Sequence, residues 1–274
     1  MLFGNKTHVM GILNVTPDSF SGDGILSSGD DLEKIINKKL RIFISNNVDI
    51  IDIGGESTRP ASIYKDSKPI DQIEEISRIK PVINIISKKT DIPISIDTMK
   101  SNVAEIACEM GATIINDVSM LSDSNMVNIA RKYKTYLIIS HIRNQKHINV
   151  VKEVISDLKK ITEYAEENGI SKDKIVVDPG IGFKKNSEES IEILRNIRFI
   201  KEELGYPILL GVSRKSFISS ILPSDDTIRL EGTAATISYL ITQGVDILRI
   251  HDIEFMTKVI KLTDSLVKGN YNSL

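Results

Sequence analysis

One cysteine, no tryptophan and few aromatic residues of any kind (5%) mark what this 274-residue chain has little of. The lone thiol, Cys108, excludes an intrachain disulfide framework and any multi-thiolate metal site. Charge of one sign is also missing: 35 basic residues stand against 37 acidic ones, a formal net charge of −2. That balance argues against a nucleic-acid or membrane-surface protein, which needs a basic excess, so any anion site must be local. Long apolar runs are absent too, since stretches such as Val48–Ile53 and Thr135–Ser140 are far too short to span a bilayer. The opening Met1-Leu2-Phe3-Gly4-Asn5-Lys6 lacks the basic-then-apolar layout of a secretory signal, and a reduced, cytoplasmic compartment is the expectation.

What is there suffices for a large core: 41% of the residues are hydrophobic and 26% are charged. Short runs rich in Ile and Val recur at His8–Leu13, Val48–Ile53, Ile92–Ile96, Thr113–Ile115, Thr135–Ile139, Lys174–Val177, Pro207–Leu210 and Val245–Ile250. Continuous apolar runs of this length, bounded by Gly, Pro, Asp or Asn, are the pattern of strands in a parallel sheet covered on both faces. Helical stripes lie between them, such as Val103, Ile106, Ala107 and Met110, or Val154, Leu158, Ile161 and Ala165. A strand–helix unit of ~34 residues, repeated through the chain without a linker, predicts one α/β domain over residues 1–274, a single (β/α)8 TIM barrel. A doubly wound open sheet is the structural alternative. It would place a glycine-rich nucleotide loop after the first strand, where this chain has Asn14-Val15-Thr16-Pro17-Asp18.

Each predicted strand delivers polar or ionisable groups at its carboxyl end: Asn14, Asp52, Asp97, Asn116-Asp117, His141, Asp178, Ser213-Arg214-Lys215, and Arg249 with His251. For a single Asp or Asn the plainer role is a helix cap or a turn. In a barrel, however, all those ends meet on one rim, where barrel active sites form. The residue types suggest two subsites. Asp97, Asn116, Asp178 and Lys215 can donate and accept across the edge of a planar, nitrogen-rich ring. Asn14, Arg249 and His251 come from the first and last strands, which are neighbours in a closed barrel. Arg and His suit a phosphate-like anion, and the Asn amide oxygen suits a hard cation such as Mg²⁺.

Gly11-Ile12-Leu13-Asn14-Val15-Thr16-Pro17-Asp18-Ser19-Phe20-Ser21 and Asp52-Ile53-Gly54-Gly55-Glu56-Ser57-Thr58-Arg59-Pro60 resemble the first two signatures of the dihydropteroate synthase family. Ser95-Ile96-Asp97-Thr98, Ile115-Asn116-Asp117-Val118-Ser119, Asp178-Pro179-Gly180-Ile181-Gly182-Phe183, Ser213-Arg214-Lys215-Ser216-Phe217, Glu231-Gly232-Thr233-Ala234-Ala235 and Arg249-Ile250-His251-Asp252 continue the likeness in family order. The resemblance implies a cytoplasmic, homodimeric transferase of folate biosynthesis and a target of sulfonamides. Its substrates would be p-aminobenzoate and (7,8-dihydropterin-6-yl)methyl diphosphate, its products 7,8-dihydropteroate and pyrophosphate. It also implies roles: Asp97, Asn116, Val118, Asp178, Phe183 and Lys215 around the pterin; Asn14, Arg249 and His251 around the pyrophosphate, with Asn14 on Mg²⁺. Thr58, Arg59, Pro60, Phe183 and Ser216 would surround p-aminobenzoate, and Asp97, Lys215 and Asn14 would carry the chemistry.

The chain departs from the family pattern at Ser21-Gly22-Asp23-Gly24, where the loop carboxylate is displaced by one position. Ser140 stands where a Met is usual, and Lys184-Lys185 where Gly-Lys is. These departures are the basis for one alternative, a non-catalytic pterin-binding paralogue. A methyltetrahydrofolate-binding methyltransferase domain is another, but it has no use for Arg249, His251 and the Thr58-Arg59-Pro60 loop. Cys108 and the methionines are expected as core filler, Glu163–Glu167 as a solvated helix face, and Asp52 and Glu56 as loop support through the backbone. For His8 and His147 the sequence identifies no partner.

Overall fold

The computed structural model describes residues 3–16, 32–56, 70–143, 148–222 and 226–269, without the side chains of residues 226–228. Its strands are β1 (His8–Asn14), β2 (Ile50–Gly54), β3 (Ile94–Asp97), β4 (Ile114–Asp117), β5 (Tyr136–Ser140), β6 (Ile175–Asp178), β7 (Leu209–Gly211) and β8 (Ile247–Ile250). All neighbours run parallel, in the order β6-β5-β4-β3-β2-β1-β8-β7. One bridge, Val177 with Ile208, joins β6 to β7, with the Val177 N–H donating to the Pro207 carbonyl at 3.0 Å. The sheet is thereby a nearly closed (β/α)8 barrel, as the strand–helix alternation predicts.

Helices α1 (Leu32–Ser45), α2 (Gln72–Ile86), α3 (Ser101–Glu109), α4 (Met126–Tyr133), α5 (Val150–Glu167), α6 (Ser187–Arg195), α7 (Ile197–Leu204), α8 (Ser216–Ser219), α9 (Asp226–Thr242) and α10 (Ile253–Lys268) fill the connections. Side chains start several of them: Asp71 accepts the Glu74 N–H at 2.8 Å before α2, and Asn149 accepts that of Lys152 at 3.0 Å before α5. Asn186 and Glu189 form a reciprocal capping box on α6. The β6–β7 and β7–β8 connections exceed the simple strand–helix repeat, each holding two helices, of which α8 is a single turn.

All strands but β8 end one or two residues later than the hydrophobic runs suggest; Asn14, Asp97, Asn116, Asp117 and Asp178 still pair in register with their neighbours. That extension decides where side chains point. Side chains in a strand alternate between its two faces, and Met10, Ile50, Ile114, Ile138, Val176, Leu209 and Ile247 pack together as the apolar floor inside the barrel. Two residues further on along five strands come Asp52, Asn116, Asp178, Gly211 and Arg249, on the same inward face one layer up. The intervening Ile51, Ile115, Val177 and Leu248 belong to the larger core between sheet and helices.

Candidate functional site

The layer above the floor opens into a small cavity. Asn116, Val118, Asp178 and Phe183 line it together with Lys215, Arg249 and His251. Seven of the residues to which the family likeness gives a role thus meet at one place, and they are delivered by β4, β6, β7 and β8. Ile12 of β1 and Ile181 of the turn after β6 add apolar wall.

Asp178 ends β6 and is buried. Its Oδ1 accepts the Gly180 N–H at 2.8 Å, and the Ser140 hydroxyl lies 3.5 Å from Oδ2. Burial raises its pKa, opposed by the Gly180 bond and by the charges of Lys215, Lys185 and Arg249. Ser140 is therefore placed beside Asp178 in the sheet register, and it is not among the residues that line the cavity. The Lys215 ammonium sits 4.8 Å from the centre of the Phe183 ring, a cation–π contact across the cavity wall.

The turn that carries Phe183 is held from beneath by two cations with little exposure. Lys185 Nζ donates to the carbonyls of Gly180 (2.9 Å), Phe183 (3.3 Å) and His141 (3.3 Å). Arg143 donates to the Lys184 carbonyl at 3.3 Å while its Nε meets Glu153 at 2.7 Å and its Nη1 meets Glu189 at 2.9 Å. Burial pushes the Lys185 ammonium down to about 7. Gly180 has φ +71°, and a Cβ there would lie 1.9 Å from the His141 carbonyl oxygen, so only glycine lets the turn approach β5.

Two groups depart from their expected places. The ring set and the anion set are not separate clusters, because Arg249 is bound into the ring set: its Nε donates to Asp52 Oδ2 and its Nη2 to Asp97 Oδ2, both at 2.6 Å. Two carboxylates inside a barrel need a cation, and Arg249 of β8, in register with Gly211 of β7, supplies it. Burial pushes the Asp97 carboxyl up to about 7, with Arg249 pulling it down and Asp52 pushing further up. Asp52 is accordingly no backbone support. It is fully buried and engages two side chains, since Asn116 Nδ2 also donates to it at 3.2 Å. The period-2 alternation from Ile50 was the available signal.

His141 is likewise no rim group. Ser140 takes the inward position, so His141 falls on the helix side, fully buried, with Nε2 3.3 Å from Asp157 on α5. Burial and the neighbouring Lys185 and Arg143 lower it to about 3. Asp117 shares that outward parity and accepts the Ser119 and Leu121 N–H groups. Glu56 accepts the Ile70 N–H at 3.4 Å, as expected of backbone support, and also pairs with Lys100, while His8 does have a partner, Asp49, at 3.7 Å.

Asn14 ends β1 half-buried, two residues beyond Ile12, and Ser216 is exposed at the first position of α8; neither is among the lining residues. Thr58, Arg59 and Pro60, the Gly22-Asp23 loop change and His147 lie outside the described residues. Cys108 is buried on α3, where burial pushes its thiol up to about 12, in keeping with core filler. Arg214, which the sequence did not single out alone, pairs with Asp252 and so ties the turn after β7 to the turn after β8.

Among the described residues no group of three or more His, Cys, Asp or Glu is placed to hold a metal ion. Nor is any helix among them long and apolar enough to cross a membrane.

Comparison with known proteins agrees with this geometry. The family model for pterin binding enzymes matches residues 10–251. A dihydropteroate synthase of Clostridium beijerinckii is 41% identical over 97% of this chain and 96% of its own. Among solved structures, Clostridium difficile dihydropteroate synthase determined in the presence of pteroic acid superposes with a TM-score of 0.88 at 42% identity, covering 97% of this chain and 98% of that one. The Xanthomonas albilineans enzyme in complex with 7,8-dihydropteroate gives 0.82 at 30% identity, covering 96% and 94%.

Proposed function

Because the chain belongs to the dihydropteroate synthase family of pterin-binding enzymes, we propose a division of labour in its cavity for the transferase reaction that joins p-aminobenzoate to (7,8-dihydropterin-6-yl)methyl diphosphate. The single observation that carries the proposal is the convergence of Asn116, Asp178, Lys215, Arg249 and His251 on one cavity floored by apolar side chains. Asp178 and Asn116 take the polar edge of the pterin, Val118 and Ile181 its faces, and Lys215 a ring carbonyl or nitrogen. Arg249 and His251 face the diphosphate. The arylamine approaches from the side of Phe183.

In the reaction the C–O bond to the diphosphate breaks and its electron pair leaves on pyrophosphate. The amine nitrogen bonds to the methylene carbon and sheds one proton. Negative charge therefore grows beside Arg249 and His251, where the guanidinium and the imidazole N–H stabilise it. Positive charge grows on the conjugated pterin, where the Asp97 carboxylate favours it. An arylamine is already nucleophilic, so the cavity needs no strong base.

Mg²⁺ belongs to the same proposal. Asn14 offers one amide oxygen at the end of β1, and Mg²⁺ characteristically takes few protein ligands, completing its shell with phosphate oxygens and water. When bound it would supply charge neutralisation on the diphosphate. The assignment of Thr58, Arg59, Pro60 and Ser216 to p-aminobenzoate rests on the sequence likeness. For Ser216 it is limited by the single-turn length of α8, which gives the helix only a small dipole.

The proposal takes residues 1–274 as one domain and the compartment as cytoplasmic. It takes the assembly as a homodimer, supported by the exposed Phe199, Tyr239 and Leu262 on the neighbouring α7, α9 and α10; sedimentation of the purified protein tests it. The test of function is pyrophosphate release with pterin diphosphate, Mg²⁺ and p-aminobenzoate, each then omitted in turn. Turnover with all three is expected. Binding of a pterin without turnover would support the non-catalytic alternative instead.

A further inference from the structure

Asp52 is assigned no contact with a substrate, yet one of its oxygens holds two side chains that are. Oδ2 accepts from Asn116 Nδ2 at 3.2 Å and from Arg249 Nε at 2.6 Å, across strands that lie far apart in sequence. A side-chain amide can present either its oxygen or its NH2 group to a ligand, whereas an ionised carboxylate only accepts. With one N–H of its NH2 group bonded to Asp52, the Asn116 amide is fixed in the orientation that leaves Oδ1 open to a ligand donor. Asn116 Oδ1 and Asp97 Oδ1 are both buried and meet no hydrogen-bond partner, as expected of acceptors reserved for donors on a bound ring. On the other side, Nε to Asp52 and Nη2 to Asp97 fix the plane of the Arg249 guanidinium and hold its charge at the cavity wall.

We propose that Asp52 is a positioning residue that, through a single oxygen, sets both the acceptor face Asn116 offers a heterocycle and the place of the Arg249 charge. The inference rests on the reading of the cavity given above and goes beyond it. It makes the ring subsite and the anion subsite mechanically dependent on one buried group that neither ligand touches.

Asp52→Asn tests it, with two probes titrated by calorimetry in Mg²⁺ buffer: a phosphate-free dihydropterin and inorganic pyrophosphate. Loss of a charged hydrogen-bond partner predicts affinity weaker by about tenfold or more for each probe. The loss for the pterin is expected to vanish in an Asn116→Ala background and persist in an Arg249→Gln background. The loss for pyrophosphate is expected to show the reverse. If Asp52 merely supported the fold, its loss would be the same in every background, and that result overturns the proposal. If the parent protein binds neither probe, the reading of the cavity fails. If it binds both and Asp52→Asn binds them equally well, only the role of Asp52 fails. Should Asp52→Asn not fold, Asn116→Asp removes the amide donor with Asp52 intact. It must then lose pterin affinity while keeping that for pyrophosphate, and unchanged pterin affinity overturns the proposal.

Discussion

Alanine at position 180 is the sharpest perturbation the structure offers. Gly180 has φ +71°, which by itself costs an L side chain about 1–2 kcal/mol. The added Cβ would also stand 1.9 Å from the carbonyl oxygen of His141, a backbone atom just past the end of β5 that has no rotamer to escape into. The turn must therefore move by about an ångström. That movement breaks the 2.8 Å bond from the Gly180 N–H to Asp178, a charge-assisted bond worth ~1.5–3 kcal/mol, and disturbs the three carbonyls gathered by Lys185. Gly180→Ala is thus expected to lower unfolding free energy by roughly 3–5 kcal/mol. Because Asp178 and Phe183 flank the turn, the pterin KM should rise with it. Gly182 supplies the control. Its φ is +80°, but a Cβ there meets only Lys215 Cδ and Nζ at 3.7 and 3.8 Å, ordinary contacts, so Gly182→Ala should cost only the backbone share of ~1–2 kcal/mol. Urea unfolding of the two variants beside the parent gives the comparison. Equal losses for both would refute the steric argument, and an unchanged pterin KM in Gly180→Ala would refute the placement of Asp178 by this turn.

Three further expectations are open to measurement. Asp178→Ala should weaken binding of a phosphate-free pterin by the ~1.5–3 kcal/mol of a charged hydrogen bond, and near-parental affinity in calorimetry would remove Asp178 from the ring subsite. Arg249→Gln, which keeps a donor for the buried carboxylates, should raise KM for the diphosphate substrate far more than it weakens a phosphate-free pterin; equal effects would take Arg249 out of the anion site. His141 is held near 3, below its ordinary 6.5, so the unfolded chain binds a proton there that the folded one refuses. Its stabilisation is complete above pH 6.5 and declines as pH falls toward 3, while Asp97 and Asp178, with raised values, act in the opposite sense. His141→Asn should accordingly show a shallower loss of stability over that window than the parent, read from urea melts at successive pH values.

What the sequence determines by itself is local and periodic. Apolar strands interrupted by helical stripes specify a barrel. The step of two from Ile50 to Asp52, Ile114 to Asn116, Val176 to Asp178 and Ile247 to Arg249 specifies a polar layer above an apolar floor. Strand parity needs only the spacing of residues within a strand, so the membership of the site is legible before any folding is considered. It fails where a strand end is misjudged by one residue: ending β5 at Ile139 made His141 a rim group, whereas the register of Ser140 with Asp178 turns it to α5. Which carboxylate meets which cation is a different kind of question. Asp52 and Asp97 lie 197 and 152 residues from Arg249, and Arg143 reaches the Phe183 turn from the β5–β6 connection. Those partnerships follow from barrel closure and, at the Phe183 turn, from the close approach that Gly180 permits. Only the tertiary structure decides them, because a buried charge takes whatever partner the closed barrel brings within hydrogen-bonding reach, and chain order carries no information about that distance.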